Sequence, residues 1–220
     1  MFGKKPSLDE ARANMVKRQL AARQITDSRI LQAMQDIPRH IFVDEKLWSK
    51  AYDDGPIPIG YDQTISQPYI VAFMTQSLCL PRDSDSVVLE VGTGSGYQAA
   101  ILSRLAAKVY SIERVEPLAL NARRILKELG INNVEIKVSD GGYGWPEHGP
   151  YDGIIVTAAA PEIPAPLKVQ LKEGAKLVIP VGPKDHQQLM RIQRRGEKFI
   201  TEHLAPVAFV PLLGEHGWAK

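Results

Sequence analysis

The chain has 220 residues, of which 44% are apolar, enough for one domain with its own core and a short extension. A formal net charge of +2 gives no compositional ground for a nucleic-acid or membrane-surface partner, and no apolar run approaches the roughly 20 residues of a spanning helix. Cys79 is the single cysteine, which excludes an intramolecular disulfide; with a polar start, Met1–Pro6, that lacks the apolar stretch of a signal peptide, it predicts a cytoplasmic protein.

Ser7-Leu8-Asp9-Glu10 has the form of a capping box and predicts a helix to about Arg23, with Leu8, Ala11 and Met15 at helical spacing. Thr26-Asp27 caps a second short helix carrying Ile30, Leu31 and Met34, which Pro38 stops. From Phe42 to Pro68 the periodicity breaks, and Gly55, Pro56, Pro58 and Gly60 punctuate an irregular stretch too rich in aromatic and branched residues to be disordered. An amphipathic helix follows from Tyr69 to Leu80, with Cys79 expected as a small core residue on it.

Strands and helices then alternate. Strands are expected at 86–91, 108–112, 134–138, 153–156 and 176–181, and helices from 97 to about 105, from 117 to 129 and from 164 to 171. Two final strands, 188–193 and 198–204, flank Arg194-Arg195-Gly196-Glu197 as a hairpin. The fold class is therefore α/β. A parallel sheet that ends in an antiparallel hairpin, behind an N-terminal helical extension, resembles the Rossmann-like class I methyltransferases. One domain is expected, with helices and a substrate loop over 1–82, a cofactor-binding core over 83–185 and the hairpin and tail over 186–220.

The chemistry concentrates where the first of these strands ends. Glu90-Val91 runs into Gly92-Thr93-Gly94-Ser95-Gly96, and a helix opens at Tyr97. A strand that turns through glycines into a helix brings bare backbone N–H groups up to a ligand. A dinucleotide fingerprint would place a third spaced glycine at Tyr97, so the spacing disfavours NAD. Glu113, at the end of the next strand, can accept both hydroxyls of an adenosine ribose, and Asp140 in Ser139-Asp140-Gly141 can accept the adenine amino group. Glu90, Gly92, Thr93, Gly94, Gly96, Glu113, Asp140 and Gly141 are thus read as binding S-adenosyl-L-methionine. The five histidines are scattered without metal-ligand spacing, so no metal is expected.

The segment Gln63-Thr64-Ile65-Ser66-Gln67-Pro68-Tyr69 reads, on its own, as a loop in which Ser66 caps the helix that follows. Together with Pro38-Arg39-His40-Ile41-Phe42-Val43, Leu89–Tyr97, Asp152–Ala159, Pro180-Val181-Gly182 and Phe209-Val210-Pro211-Leu212, it resembles the protein-L-isoaspartate O-methyltransferase family over nearly the whole chain. The resemblance implies that Ser66 is the active-site residue and that Gln63, Thr64 and Ile65 line the cofactor and substrate cleft. It implies a substrate site that includes Ile65, Ser66, Pro211 and Leu212. It also implies methylation of the free α-carboxylate of isoaspartyl residues in flexible or unfolded segments, which starts repair through a succinimide. Two departures stand out: Ser139 replaces a glycine, and Asp62 stands where a small residue is common. A monomer is expected, because no long apolar helix face is left over. The alternatives are a class I methyltransferase for a small molecule or RNA, against which Ser66, its neighbours and the modest charge weigh, and a non-catalytic binding protein, against which the intact glycines, Glu113 and Ser66 weigh.

Overall fold

The computed structural model describes residues 6–82 and 85–219. The boundary expected between 82 and 83 adjoins Asp83 and Ser84, and it and the first five residues lie outside the described residues. Helix α1 (Leu8–Asn14) opens on the expected capping box: Glu10 N–H donates to Ser7 Oγ at 3.2 Å and Ser7 N–H to Glu10 Oε2 at 2.7 Å. The helical path continues to Arg23 but changes pitch, first into a π-helical turn (Met15–Leu20) and then into a 3-10 turn (Ala21–Arg23). A π turn sets residues five apart on one face, and here it turns both Met15 and Leu20 into the core. Helix α2 (Ser28–Asp36) is capped by the Asp27 carboxylate, which accepts from Arg29 N–H.

The stretch expected to be irregular contains more structure than its sequence shows. Two 3-10 turns (Arg39–Phe42 and Glu45–Lys50) lead into strands β1 (Ile57–Gly60) and β2 (Gln63–Ile65), paired antiparallel as a separate two-stranded sheet. Tyr61 and Asp62 join them at φ of 53° and 56°, the two positive angles of a type I′ turn. Helix α3 (Pro68–Leu78) begins and ends slightly earlier than expected. Cys79 does not join the core: it is exposed and stops the helix in a left-handed conformation, φ 50°.

The main sheet comprises β3 (Val87–Val91), β4 (Lys108–Glu113), β5 (Val134–Val138), β6 (Tyr151–Val156), β7 (Leu171–Val181), β8 (Gln187–Arg195) and β9 (Lys198–Val207), in the order β5-β4-β3-β6-β7-β8-β9. Strands β3 to β7 pair in parallel, and β8 and β9 return antiparallel. Helices α4 (Tyr97–Leu102), α5 (Glu116–Glu128) and α6 (Ala165–Val169) fill the connections. Strand β7 starts five residues before the expected 176, α4 stops short of 105, and the β8–β9 hairpin closes through Gly196 and Glu197 alone. Among the described residues, no helix is long and apolar enough to cross a membrane.

Successive residues of a strand face opposite sides of the sheet. Val88, Ile155 and Val178 pack under the N-terminal helices, α3, α4 and α5, while Leu89, Ile154 and Leu177 pack on the opposite face with Trp145 and Leu167. Both faces are covered, so the central strands read as unbroken apolar runs. Because strand order reverses beside β3, the carboxyl ends of β3, β4 and β6 flank an open crevice.

One ionisable side chain interrupts this interior. Glu90, on β3, is completely buried; it accepts a hydrogen bond from the Ser111 hydroxyl, and its other oxygen has no partner. Burial pushes its pKa from 4.5 up to about 8; the Glu113 charge adds to the rise, while the Ser111 bond opposes it. The folded protein therefore holds a proton that the unfolded chain releases near its ordinary value. That contribution is complete below about pH 4.5 and is lost as pH rises through about 8. Urea denaturation across this range should show the cofactor-free protein losing stability with rising pH, and Glu90→Gln, which cannot ionise, should flatten that loss.

Candidate active site

The crevice at the strand ends is open to solvent and, with the solvent at its mouth, comprises about 860 Å³ of atom-free space. One wall is formed by Gln63, Thr64, Ile65 and Ser66, and the floor by Gly92, Thr93 and Gly94. Glu113, Gly141 and Thr157 rise from the ends of β4, β5 and β6, and Pro211 and Leu212 close the far side. Sequence reasoning named each of these except Thr157, which follows β6 directly and was open to the same strand-end argument.

Crowding shapes the floor. Gly92 and Thr93 N–H both donate to Ile112 O, at 2.8 and 3.2 Å, which draws the turn against β4. A Cβ on Gly92 would stand 2.4 Å from Thr157 Oγ1, and that hydroxyl already donates to Gly92 O at 2.6 Å. The Glu113 carboxylate bridges the glycine turn and the start of α5: Oε2 accepts from Gly94 N–H and Oε1 from Val115 N–H, both at 2.8 Å. Each oxygen keeps one acceptor position for a ligand. Where β5 ends, a Cβ on Gly141 would lie 2.4 Å from Val91 Cγ1.

Three residues expected to bind the cofactor are not in the lining of the cleft. Gly96 opens α4 at φ +89° with its vacant Cβ position 3.0 Å from Ala122 Cβ, so it packs α4 onto α5. Glu90 lies beneath the floor, where its partner Ser111 is 2.5 Å from Thr93 Oγ1. Asp140 is half-buried next to Gly141, at the edge of the lining; its Oδ1 accepts from Gly142 N–H at 2.9 Å and its Oδ2 from Glu215 N–H at 3.0 Å, which leaves each oxygen one further acceptor position.

Ser66 lies at the amino end of α3 but does not cap it; Gln67 is the N-cap, and no side chain bonds the helix there. Gln67 instead turns away to donate to Asp54 Oδ1 at 2.8 Å. The Ser66 hydroxyl is left at the cleft wall beside the positive end of an 11-residue helix, a place that favours an anion.

Support from the N-terminal segment went unread in the sequence. Tyr97, which lines the cleft, is buried with Phe42 edge-on at 5.3 Å and the Arg39 guanidinium 5.2 Å from its ring centroid. Arg39 is fully buried and donates to Ala51 O at 2.7 Å. Burial lowers its pKa to about 10 and raises that of the Tyr97 phenol. Gln98, also in the lining, donates to Thr75 Oγ1 at 2.9 Å and ties α4 to α3.

The family model described as protein-L-isoaspartate(D-aspartate) O-methyltransferase matches residues 10–217. A protein-L-isoaspartate O-methyltransferase of Syntrophotalea carbinolica is 53% identical over 209 residues, covering 94% of this chain and 95% of the relative. One from Trichlorobacter lovleyi is 51% identical over 213 residues, covering 96% and 97%. A solved protein-L-isoaspartate O-methyltransferase superposes with a TM-score of 0.86 at 30% identity, covering 94% of this chain and 67% of its own. The Plasmodium falciparum protein of the same name, solved in complex with S-adenosyl-L-homocysteine, gives 0.80 at 27% identity, covering 92% and 98%. Sequence and backbone superposition agree over almost all of its length, and the chain belongs to the protein-L-isoaspartate(D-aspartate) O-methyltransferase family.

Proposed function

We infer that this chain is an S-adenosylmethionine-dependent protein-L-isoaspartate O-methyltransferase. It esterifies the free α-carboxylate of isoaspartyl residues in damaged polypeptides. The observation that carries the reading is the uncapped Ser66 hydroxyl, set at the α3 amino end in the same cleft as the Glu113-braced glycine turn.

The donor fits the residues present. Gly92 and Gly141 leave floor where any Cβ would collide, and Glu113 presents spare acceptor positions where ribose hydroxyls belong. S-adenosylmethionine supplies an electrophilic methyl group carried on a sulfonium. In this reading Gly92, Thr93 and Gly94 approach the ligand through backbone, and Gln63, Thr64 and Ile65 flank it from the opposite wall. Gly96 sets the direction of α4, and Glu90 holds Thr93 through Ser111. Asp140 accepts the adenine amino group at the end marked by Gly141.

The acceptor needs no base. A free α-carboxyl has a pKa of about 3.5 and is an anion at neutral pH. The enzyme's task is positioning, which can supply roughly 7–11 kcal/mol of a barrier. Ser66 donates a hydrogen bond to one carboxylate oxygen, and the α3 amino end favours the charge. Ile65, Pro211 and Leu212 bound the groove along which an extended peptide lies. The following residue's backbone nitrogen then attacks the ester and expels methanol to close a succinimide, which water reopens in part to normal aspartate. We take the enzyme to be a cytoplasmic monomer acting on flexible polypeptide and not on nucleic acid or membrane, a choice its near-neutral charge supports.

Two peptides that differ only in aspartyl or isoaspartyl linkage, each incubated with methyl-labelled donor, test the function. Base-labile label should enter the isoaspartyl peptide alone, and equal labelling of both would refute the reading. A hydrogen bond to a charged group contributes about 1.5–3 kcal/mol. Ser66→Ala should therefore lower kcat/KM about ten- to a hundred-fold while S-adenosylhomocysteine affinity, measured by calorimetry, stays near wild type. Glu113→Ala should do the opposite and weaken that affinity about ten-fold or more.

A further inference from the structure

Beyond Leu212 the chain forms a closed loop. Leu213 bridges to Trp218, and Trp218 N–H donates to Leu212 O at 2.7 Å, with Gly217 N–H bonded to Gly214 O at 3.1 Å inside. One end of the loop is fastened behind the proposed substrate wall. Ala159 O accepts both Leu212 N–H at 2.8 Å and the Trp218 indole N–H at 3.1 Å, and Ala159 N–H donates to Val210 O at 2.8 Å. The other end is fastened to the adenine side, where Glu215 N–H donates to Asp140 Oδ2 at 3.0 Å. Tyr143, two residues past Gly141, donates its hydroxyl to the Glu215 carboxylate and meets the His216 ring edge-on at 4.8 Å.

The fit leaves no slack at either end. A Cβ on Gly214 would lie 2.3 Å from Asp140 Oδ2, and one on Gly217 would lie 2.2 Å from Leu212 O. The loop is thus pressed onto the carboxylate at one side and onto the wall at the other.

We propose that the Leu213–Trp218 loop couples the two halves of the site, with Trp218 and Gly214 as positioning residues that let the peptide wall and the Asp140 carboxylate respond to one another's occupant. The proposal rests on the function inferred above. An amine bound at Asp140 fixes the carboxylate, the carboxylate fixes Glu215 N–H, and Trp218 carries that order to Ala159 and Leu212. A peptide lying on Leu212 orders the same loop from the other side. Ligands that order a shared segment reduce each other's ordering cost, so each should tighten the other by the same factor.

Calorimetric titration of S-adenosylhomocysteine, with and without a saturating isoaspartyl peptide, measures this without turnover. The wild type should bind S-adenosylhomocysteine at least about five-fold tighter when the peptide is present, the low end of typical coupling between sites. Trp218→Phe removes the indole N–H and keeps an aromatic ring, and Gly214→Ala forces the loop off Asp140; in each the ratio should fall to about one. A variant that merely loses stability would unfold at a lower temperature and keep its ratio. Should Gly214→Ala fail to fold, Trp218→Phe decides alone. Coupling retained in the folded variants, or absent from a wild type that binds the peptide, overturns the proposal. A wild type that binds the aspartyl and isoaspartyl peptides equally, or neither, overturns the function instead, and the coupling with it.

Discussion

The Glu113 carboxylate holds the floor of the cleft together. It stands at the end of β4 and takes one backbone N–H from the glycine turn and another from the start of α5. Charge-assisted bonds of this kind are roughly twice as strong as neutral ones. They keep the turn from collapsing into the space that a ligand needs. Gly92, packed against Thr157, and Gly141, packed against Val91, complete the lining beside this brace. The floor is therefore fixed by strand ends that are themselves locked in a seven-stranded sheet.

The Ser66 wall has a different origin. Ser66 follows β2, which belongs to a two-stranded sheet outside the main one, and it precedes a helix tied to the N-terminal segment. Gln76 of α3 accepts from Thr26 and Asp27 N–H and donates to Gln24 O. The Arg39–Tyr97 contact joins the same segment to the first turn of α4. The N-terminal extension thus positions the Ser66 wall of the cleft and is as much part of the cleft's framework as the glycines are.

Much of this was legible in the sequence, and the reasons are physical. Val88-Leu89 and Ile154-Ile155 face opposite sides of a sheet covered on both, so the strands showed as continuous apolar runs. The capping box at Ser7 and Glu10 is local and needed no tertiary context. The β1–β2 hairpin did not show: its strands are three and four residues long, one contains Pro58, and its turn is Tyr61-Asp62, not Asn-Gly. The first half of β7 was hidden by Glu173-Gly174, which reads as a turn. Asp140 was seen as a candidate, but its link to Glu215 spans 75 residues, and no periodicity reports a contact at that distance. Arg39 gave no sign of burial, because its cover comes from Ala51, Tyr97 and their neighbours.

The separate hairpin has a consequence for how damaged chains enter. A two-stranded sheet has little stability of its own, and this one is anchored to the core mainly by Ile57 and Ile65, its first paired residues. Segments so lightly held exchange their amide hydrogens through brief partial unfolding, well before the surrounding sheet does. The serine side of the cleft will therefore breathe while the strand-end side stays ordered. On the proposed function, a bulky polypeptide can then gain admission with the small molecule already seated.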